Sequence, residues 1–166
     1  MKPPAITLEN ILQLEPASLR MEIPLTWADS NGHMNMRWYV AIFDDAGEPL
    51  NHQLGLSPEA RAPYYAGTFD LEHHTHFLKE AIPGDRVSVY TRMTGCSAKR
   101  MTYLMFLVNE SRNELSAIFE CVNGLVDLEA RKTMPYPKEI FESIEAAVIR
   151  HSKLTWPAPV CGVMKA

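Results

Sequence analysis

No apolar run in this chain approaches the roughly 20 residues that cross a bilayer, and Met1-Lys2-Pro3-Pro4 lacks the apolar core of a secretory leader. Membrane insertion and export are therefore not expected. Cysteine is scarce. Cys96, Cys121 and Cys161 are odd in number, widely spaced and without a CxxC pair, so neither a disulfide scaffold nor a zinc ribbon is encoded. A reducing, cytoplasmic compartment is the expectation. Excess positive charge is missing too. A formal charge of -4 argues against a general polyanion binder, and nucleic acid is not an expected partner. Internal repeats and low-complexity tracts are absent, and the prolines mark junctions rather than one long linker. What is present is ordinary for one globular domain: 166 residues, 46% hydrophobic and 22% charged, enough to bury a core without metal or disulfide staples.

Hydrophobic spacing orders the chain. Residues 1–18 read as an N-terminal extension, in which Leu8 to Leu14 has room for a helical turn or two before Pro16. Residues 19–151 form the domain and 152–166 a C-terminal tail. Leu19, Met21, Ile23, Leu25 and Trp27 alternate, which predicts a half-buried strand with Pro24 at an edge or bulge. Met34 to Leu54 carries Trp38, Ile42, Ala46 and Leu50 at near-helical intervals and predicts the main helix, with Gly47 and Pro49 expected to break or kink its later half. Four strands follow, at 68–78, 86–96, 100–109 and 115–127, with Pro83-Gly84-Asp85 and Ser111-Arg112-Asn113 as turns. A closing helix is predicted over 137–151. Four consecutive strands joined by short turns are antiparallel, so the fold class is α+β: a five-stranded antiparallel sheet packed on one central helix. A sheet of this kind leaves edges open. Pairing across a two-fold axis satisfies one, which makes a homodimer formed through the sheet, or a dimer of dimers, the expected unit.

Chemistry concentrates in Trp27-Ala28-Asp29-Ser30-Asn31-Gly32-His33-Met34-Asn35, between the first strand and the main helix. Asp29, Asn31 and His33 alternate, so an extended backbone directs them to one side, while Gly32 permits a turn. The loop ends at a helix N-terminus, whose unpaired N–H groups and partial positive charge suit an oxyanion. Taken singly, Asp29 or Asn31 is a helix cap and His33 an ordinary polar loop residue. In combination, a carboxylate beside an oxyanion site is a hydrolase arrangement.

The segment Asp29-Ser30-Asn31-Gly32-His33-Met34-Asn35, continued by Arg37-Trp38-Tyr39 and by Phe77-Leu78-Lys79-Glu80 with Pro83-Gly84-Asp85, resembles the 4-hydroxybenzoyl-CoA thioesterase-like branch of the hotdog superfamily. The likeness runs from about Leu19 to Ile140. It implies a single hotdog domain, the sheet wrapped around its helix, and hydrolysis of a small or medium acyl-CoA to free acid and CoA. By motif position Asp29 takes the role of nucleophile or general base, the two remaining open, with Asn31 and His33 beside it. The helix start at Asn35 and Met36 takes the role of donor to the thioester carbonyl. Such a reaction needs no metal and no organic cofactor, since coenzyme A enters as part of the substrate.

Glu72, His73, His74 and His76 form a second cluster. On a strand Glu72, His74 and His76 share a face, but same-face neighbours stand about 7 Å apart, too far for one ion without help, and no metal site is assigned. The stretch also resembles thioesterases encoded with carnitine and betaine catabolism. That raises a betainyl group as acyl chain, with Trp38, Glu72 and His74 lining its pocket; Glu72 and His74 equally suit structural bonds at a subunit interface. Ser97, Lys99 and Arg100 lie at the turn between the third and fourth strands, where hotdog enzymes receive the CoA nucleotide; a solvated basic turn is the plainer alternative. Two rival functions remain from the same fold: an acyl-thioester hydratase or dehydratase, and a noncatalytic acyl-CoA-binding module.

Overall fold

A computed structural model describes residues 6–14 and 16–166; the remainder of the N-terminal extension lies outside the described residues. Helix α1 is the single turn Leu8–Leu12, opened by a Thr7 capping box with Asn10 and ended before Pro16. Strand β1 is shorter than the alternation predicts, Leu19–Glu22, and Leu25–Trp27 forms a 3-10 turn instead. Pro24 explains the difference, because it lacks the N–H needed to extend the ladder.

Helix α2 runs without interruption over Met36–Gln53 and contains Pro49, contrary to the expected break. Proline inside a helix costs about 3 kcal/mol. Buried Tyr39, Ile42, Phe43, Ala46 and Leu50 continue one apolar stripe past it, and each large side chain buried contributes about 1.5–3 kcal/mol. Packing outweighs the local penalty. A short helix α3 (Pro58–Arg61) and a 3-10 turn lead to β2 (Ala66–Phe77), then β3 (Arg86–Cys96), β4 (Arg100–Asn109) and β5 (Glu114–Asp127). The two-residue β6 (Lys132–Thr133) adds a sixth strand to the five expected, and α4 (Lys138–Ser152) closes the domain with Pro137 at its cap.

All pairings are antiparallel, in the order β1-β3-β4-β5-β2 with β6 beside β5. The sheet curls around α2. Its inner face supplies Met105, Leu107 and Phe119 to a core shared with Ile42, Phe43 and Ala46, and Phe43 stacks on Phe119 with ring centroids 4.8 Å apart. The outer face is covered by the flanking segments: Ile11 and Leu14 from the N-terminal side and Trp156 from the tail pack on Tyr90, Leu104, Phe106 and Ile118. Arg92 emerges into this layer, its guanidinium 4.0 Å from the Trp156 ring centre and donating to the Trp156 carbonyl at 2.9 Å.

Strand β2 is an edge. Its register slips between Asp70 and Glu72, a bulge that re-phases the strand. Thr68 and Asp70 face α2 before the bulge; after it His73, Thr75 and Phe77 do, as His73 stacks on Phe119 and Phe77 meets Tyr39 edge-on. Phe69 and Leu71 remain 43% exposed on this edge, an apolar strip that water leaves unpaired.

Candidate active site

The Asp29 loop is held at both ends by backbone. Met34 N–H donates to the Ala81 carbonyl (2.8 Å), Asn35 N–H to Trp27 (3.0 Å) and Asp29 N–H to His33 (2.8 Å), while Ala28 and Met34 form an isolated bridge. The Pro83-Gly84-Asp85 turn braces it from behind: Ile23 N–H reaches the Asp85 carbonyl at 2.9 Å and Gly84 N–H the Ile23 carbonyl at 2.8 Å. Gly84 and Gly32 adopt φ of +91° and +81°, values that favour glycine. Asp85 is itself fixed. Its Oδ2 accepts from Asn109 (2.7 Å), Arg112 (2.8 Å) and Ile82 N–H (3.1 Å). Burial pushes the Asp85 pKa up, but these bonds and the Arg112 charge hold it below the usual carboxylate value.

Within the loop, Asp29 Oδ1 accepts from Asn31 N–H at 2.8 Å and His33 N–H at 3.2 Å, an Asx-type turn. One carboxylate oxygen is thus committed to holding the loop and the other carries no bond among the described residues. Half-buried Asp29 is flanked by exposed Asn31 and half-buried His33, and His33 Nε2 sits 3.0 Å from Glu80 Oε2. Glu80 belongs to the Phe77-Leu78-Lys79-Glu80 stretch, but nothing local in the sequence pairs it with His33. Asn35 is the α2 cap, its Oδ1 accepting from Arg37 N–H at 3.2 Å. The bonds of this loop use the N–H groups of Asp29, Asn31, Gly32, His33, Met34, Asn35 and Arg37. Of the two sequence candidates at the helix start, Met36 is therefore the one whose N–H is uncommitted. Trp27 and Trp38 stack beside the loop at 4.4 Å, with Arg37 4.7 Å above the Trp38 ring.

The remaining candidates are spread apart. Glu72 and His74 pair with Val122 and Glu120 of β5 on the outer face, whereas Trp38 packs in the inner core. One protomer does not bring the three together. His74 instead meets buried Glu120 and Cys161, whose ligand-type atoms all lie within 4.8 Å of one another, and Glu120 Oε2 accepts from Cys161 N–H at 2.7 Å. Ser97, Lys99 and Arg100 form the β3–β4 hairpin turn, closed by Ser97 N–H to the Arg100 carbonyl at 2.8 Å, with Lys99 Nζ 3.4 Å from the Thr133 carbonyl. Asp85 precedes β3 and this turn follows it. A strand of that length separates them by roughly 35 Å, so within one protomer the turn and the Asp29 loop stand at opposite ends of the sheet.

On the α2 side of β2 a group that the sequence did not indicate comes together. Tyr103 Oη and Asn123 Nδ2, both on buried residues, donate to Asp70 Oδ1 at 3.2 and 2.8 Å. Desolvation, then the neighbouring Cys121 and Asp70 charges, push the Tyr103 pKa well above its ordinary value, which keeps the phenol a donor. Asn123 Oδ1 is buried with no partner among the described residues.

A sequence model described as the thioesterase-like superfamily matches residues 23–144. A betainyl-CoA thioesterase from Pseudomonas aeruginosa is 30% identical over 134 residues, covering 81% of this chain and 84% of that protein. An L-carnitine dehydrogenase/betainyl-CoA thioesterase from Agrobacterium fabrum is 30% identical over 119 residues, 72% of this chain but 24% of its own length. Among solved structures, a Staphylococcus aureus protein in complex with CoA superposes with a TM-score of 0.79 at 24% identity, covering 89% of this chain and 93% of that one. That last likeness carries the fold.

Proposed function

The chain belongs to the thioesterase-like superfamily, and on that premise we propose that it cleaves betainyl-CoA, or a close cationic relative, with Asp29 as the reacting carboxylate. Hydrolysis of acyl-CoA thioesters is its reaction class. One observation carries the assignment of Asp29: its Oδ1 is tied to the backbone of Asn31 and His33 while its other oxygen has no partner among the described residues, in the loop that leads into the start of α2. A carboxylate held by one oxygen presents the second in a fixed position at no further ordering cost.

In the reaction water adds to the thioester carbon, the C–S bond breaks, and acid and CoA leave. As general base, Asp29 takes a proton from water and returns it to the CoA sulfur. As nucleophile, it adds to the thioester carbon in place of water and expels CoA thiolate, forming an acyl anhydride; water then opens the anhydride to the free acid and the Asp29 carboxylate, releasing the proton that the thiolate takes up. Either route develops negative charge on the carbonyl oxygen, which the Met36 N–H and the positive end of α2 stabilise. His33, oriented by Glu80, borders the carboxylate and positions water or the thioester.

A homodimer formed through β2 is part of the reading. Two-fold pairing at this edge runs the strands antiparallel and covers exposed Phe69 and Leu71. It also turns the Ser97–Arg100 hairpin of one subunit toward the Asp29 end of the other, which supports Lys99 and Arg100 as contacts for the CoA phosphates. Among the described residues no helix is long and apolar enough to cross a membrane, in keeping with a cytoplasmic enzyme.

Free-thiol release measured over a panel of acyl-CoAs tests the proposal. Release is expected, fastest with betainyl-CoA. A hydratase alters the acyl chain without freeing CoA, and a binding module does neither; a panel without thiol release overturns the assignment.

A further inference from the structure

Between α2 and the Asp70 end of β2 lies a cavity of about 290 Å³, lined among others by Asp44, Glu48, Asp70, Phe69, Tyr103 and Asn123. Among the described residues, three carboxylates and no lysine or arginine line it. Glu48 meets His52 at 3.2 Å, and Arg61 reaches Thr68 Oγ1 at the rim at 3.5 Å. Asp70 is exposed toward the cavity mouth, yet two buried donors hold its Oδ1 from behind. These donors fix the Asp70 carboxylate at the opening, where it can face a cation.

Two further observations point to a ligand. Asn123 is 5% exposed and its Oδ1 has no donor among the described residues, a costly state for a buried acceptor unless something outside supplies the partner. Gly47, in the middle of α2, also lines the cavity, and a Cβ built there meets nothing within 4 Å. Alanine at that position stabilises an ordinary helix by about 1 kcal/mol, and glycine leaves the space over this part of α2 unfilled.

Resting on the betainyl-CoA reading above, we propose that this acidic cavity binds the quaternary ammonium of the acyl group, with Asp70 as its charge partner and Phe69 and Tyr103 as its aromatic side. The cation's N-methyl groups carry its charge outward, are weak donors to Asn123 Oδ1 and the carboxylates, and pack against aromatic faces. Size agrees. At roughly 30 Å³ per water the 290 Å³ cavity has ample room for the few non-hydrogen atoms of a betainyl group.

Reach decides which subunit supplies the cavity. Asp44 follows Met36 by two helical turns, about 12 Å along α2, whereas only two bonds separate the thioester carbon from the nitrogen of a betainyl group. An acyl group at Met36 cannot span that gap within one protomer. Two-fold pairing of β2 brings the Asp70 end of one strand toward the Phe77 end of the other, beyond which lie Glu80 and the Asp29 loop. The thioester is held by one subunit and its cationic head by the partner.

The test compares betainyl-CoA with 3,3-dimethylbutyryl-CoA, in which carbon replaces the charged nitrogen at nearly constant shape. The ratio of kcat/KM for the two is expected to favour the cation in the wild type and to fall at least about tenfold in Asp70→Asn. Asp44→Asn is expected to lower it in the same direction. Asp44 is an exposed helix residue, so this variant keeps the test alive if Asp70→Asn does not fold. Gly47→Leu is expected to keep or raise the melting temperature while losing activity on both substrates. An unchanged ratio in both Asn variants, or full activity in Gly47→Leu, overturns the cavity assignment and leaves the betainyl reading standing. A wild type that cleaves other acyl-CoAs but neither of this pair overturns both.

Discussion

Asp29→Asn separates chemistry from structure, because the two oxygens of Asp29 have different work. Oδ1 accepts the N–H groups of Asn31 and His33 at 2.8 and 3.2 Å; the other oxygen is free to react. Asparagine keeps an acceptor for both bonds and places an amide nitrogen where the reactive oxygen was. Exchanging a charged for a neutral acceptor weakens a hydrogen bond by about 1 kcal/mol, and the partly exposed loop reduces that further, so the expected loss of stability is about 1 kcal/mol for the pair. Asp29→Ala removes both bonds and is expected to cost about 1–2 kcal/mol, like the loss of a cap. Against this small structural change stands the loss of the base or nucleophile, about 10²- to 10⁴-fold in rate, or roughly 3–5 kcal/mol of barrier. The assay is thiol release from betainyl-CoA alongside urea unfolding of the same preparation. The expected result is a folded Asn variant with kcat and kcat/KM reduced together by a hundredfold or more, as for a group acting only in the transition state. Near-native turnover by that folded variant would refute the reasoning. Single turnover in oxygen-18 water then distinguishes the two routes in the wild type, since label enters the enzyme only by way of an Asp29 anhydride.

Three further outcomes follow from other parts of the molecule. His151 Nδ1 accepts the Met93 N–H at 2.8 Å, and burial, with Arg150 and Arg92 adding to it, pushes its pKa down to about 4. Its contribution to stability is therefore intact above about pH 6.5 and lost as pH falls toward 4; His151→Gln should flatten that part of the urea-midpoint profile, and an unchanged profile contradicts the assignment. Replacing Lys99 and Arg100 together by Ala should raise KM for acyl-CoA more than it lowers kcat, in a salt-dependent way, and spare a pantetheine thioester that lacks the nucleotide phosphates; equal losses on both substrates indicate a structural role. Leu71→Lys, on the open β2 edge, removes about 1 kcal/mol of apolar burial and adds a charge, so sedimentation equilibrium should show the dimer dissociation constant rising by roughly tenfold, whereas a fully active wild-type monomer contradicts the architecture.

How much of this was legible depended on whether the cause was local. The 86–96 and 100–109 strands emerged at their predicted bounds because alternation and turn residues act over a few neighbours. Pro24 and Pro49 have the same local chemistry and opposite outcomes. The first ends β1, where no packing replaces a missing ladder bond; the second sits inside α2, where Ala46 and Leu50 are buried on either side. Neighbour patterns carry the penalty but not the packing that overrides it. The β2 bulge escaped the alternation rule for a similar reason. One extra residue near Leu71 separates the phase of Asp70 from that of His73, and its cause is the partner register on β5.

The candidate site divides along the same line. Asp29, Asn31, His33, Asn35 and Met36 occupy one short loop and the start of one helix, so the sequence could display the proposed reacting group and its proposed oxyanion donor together. Asp70 meets its donors across 33 and 53 residues, and its cavity draws on α2, β2, β4 and β5. No window along the chain contains that arrangement, and the two-fold that would bring it to the thioester is a property of two chains. On this proposal, reaction class and acyl preference are encoded at different ranges. A substitution at Asp70 or Gly47 can change which acyl group is accepted while every residue of the Asp29 loop stays in place, so relatives that share the loop need not share the substrate. The charge of the β2 cavity, rather than the loop motif, is the feature on which such relatives should divide.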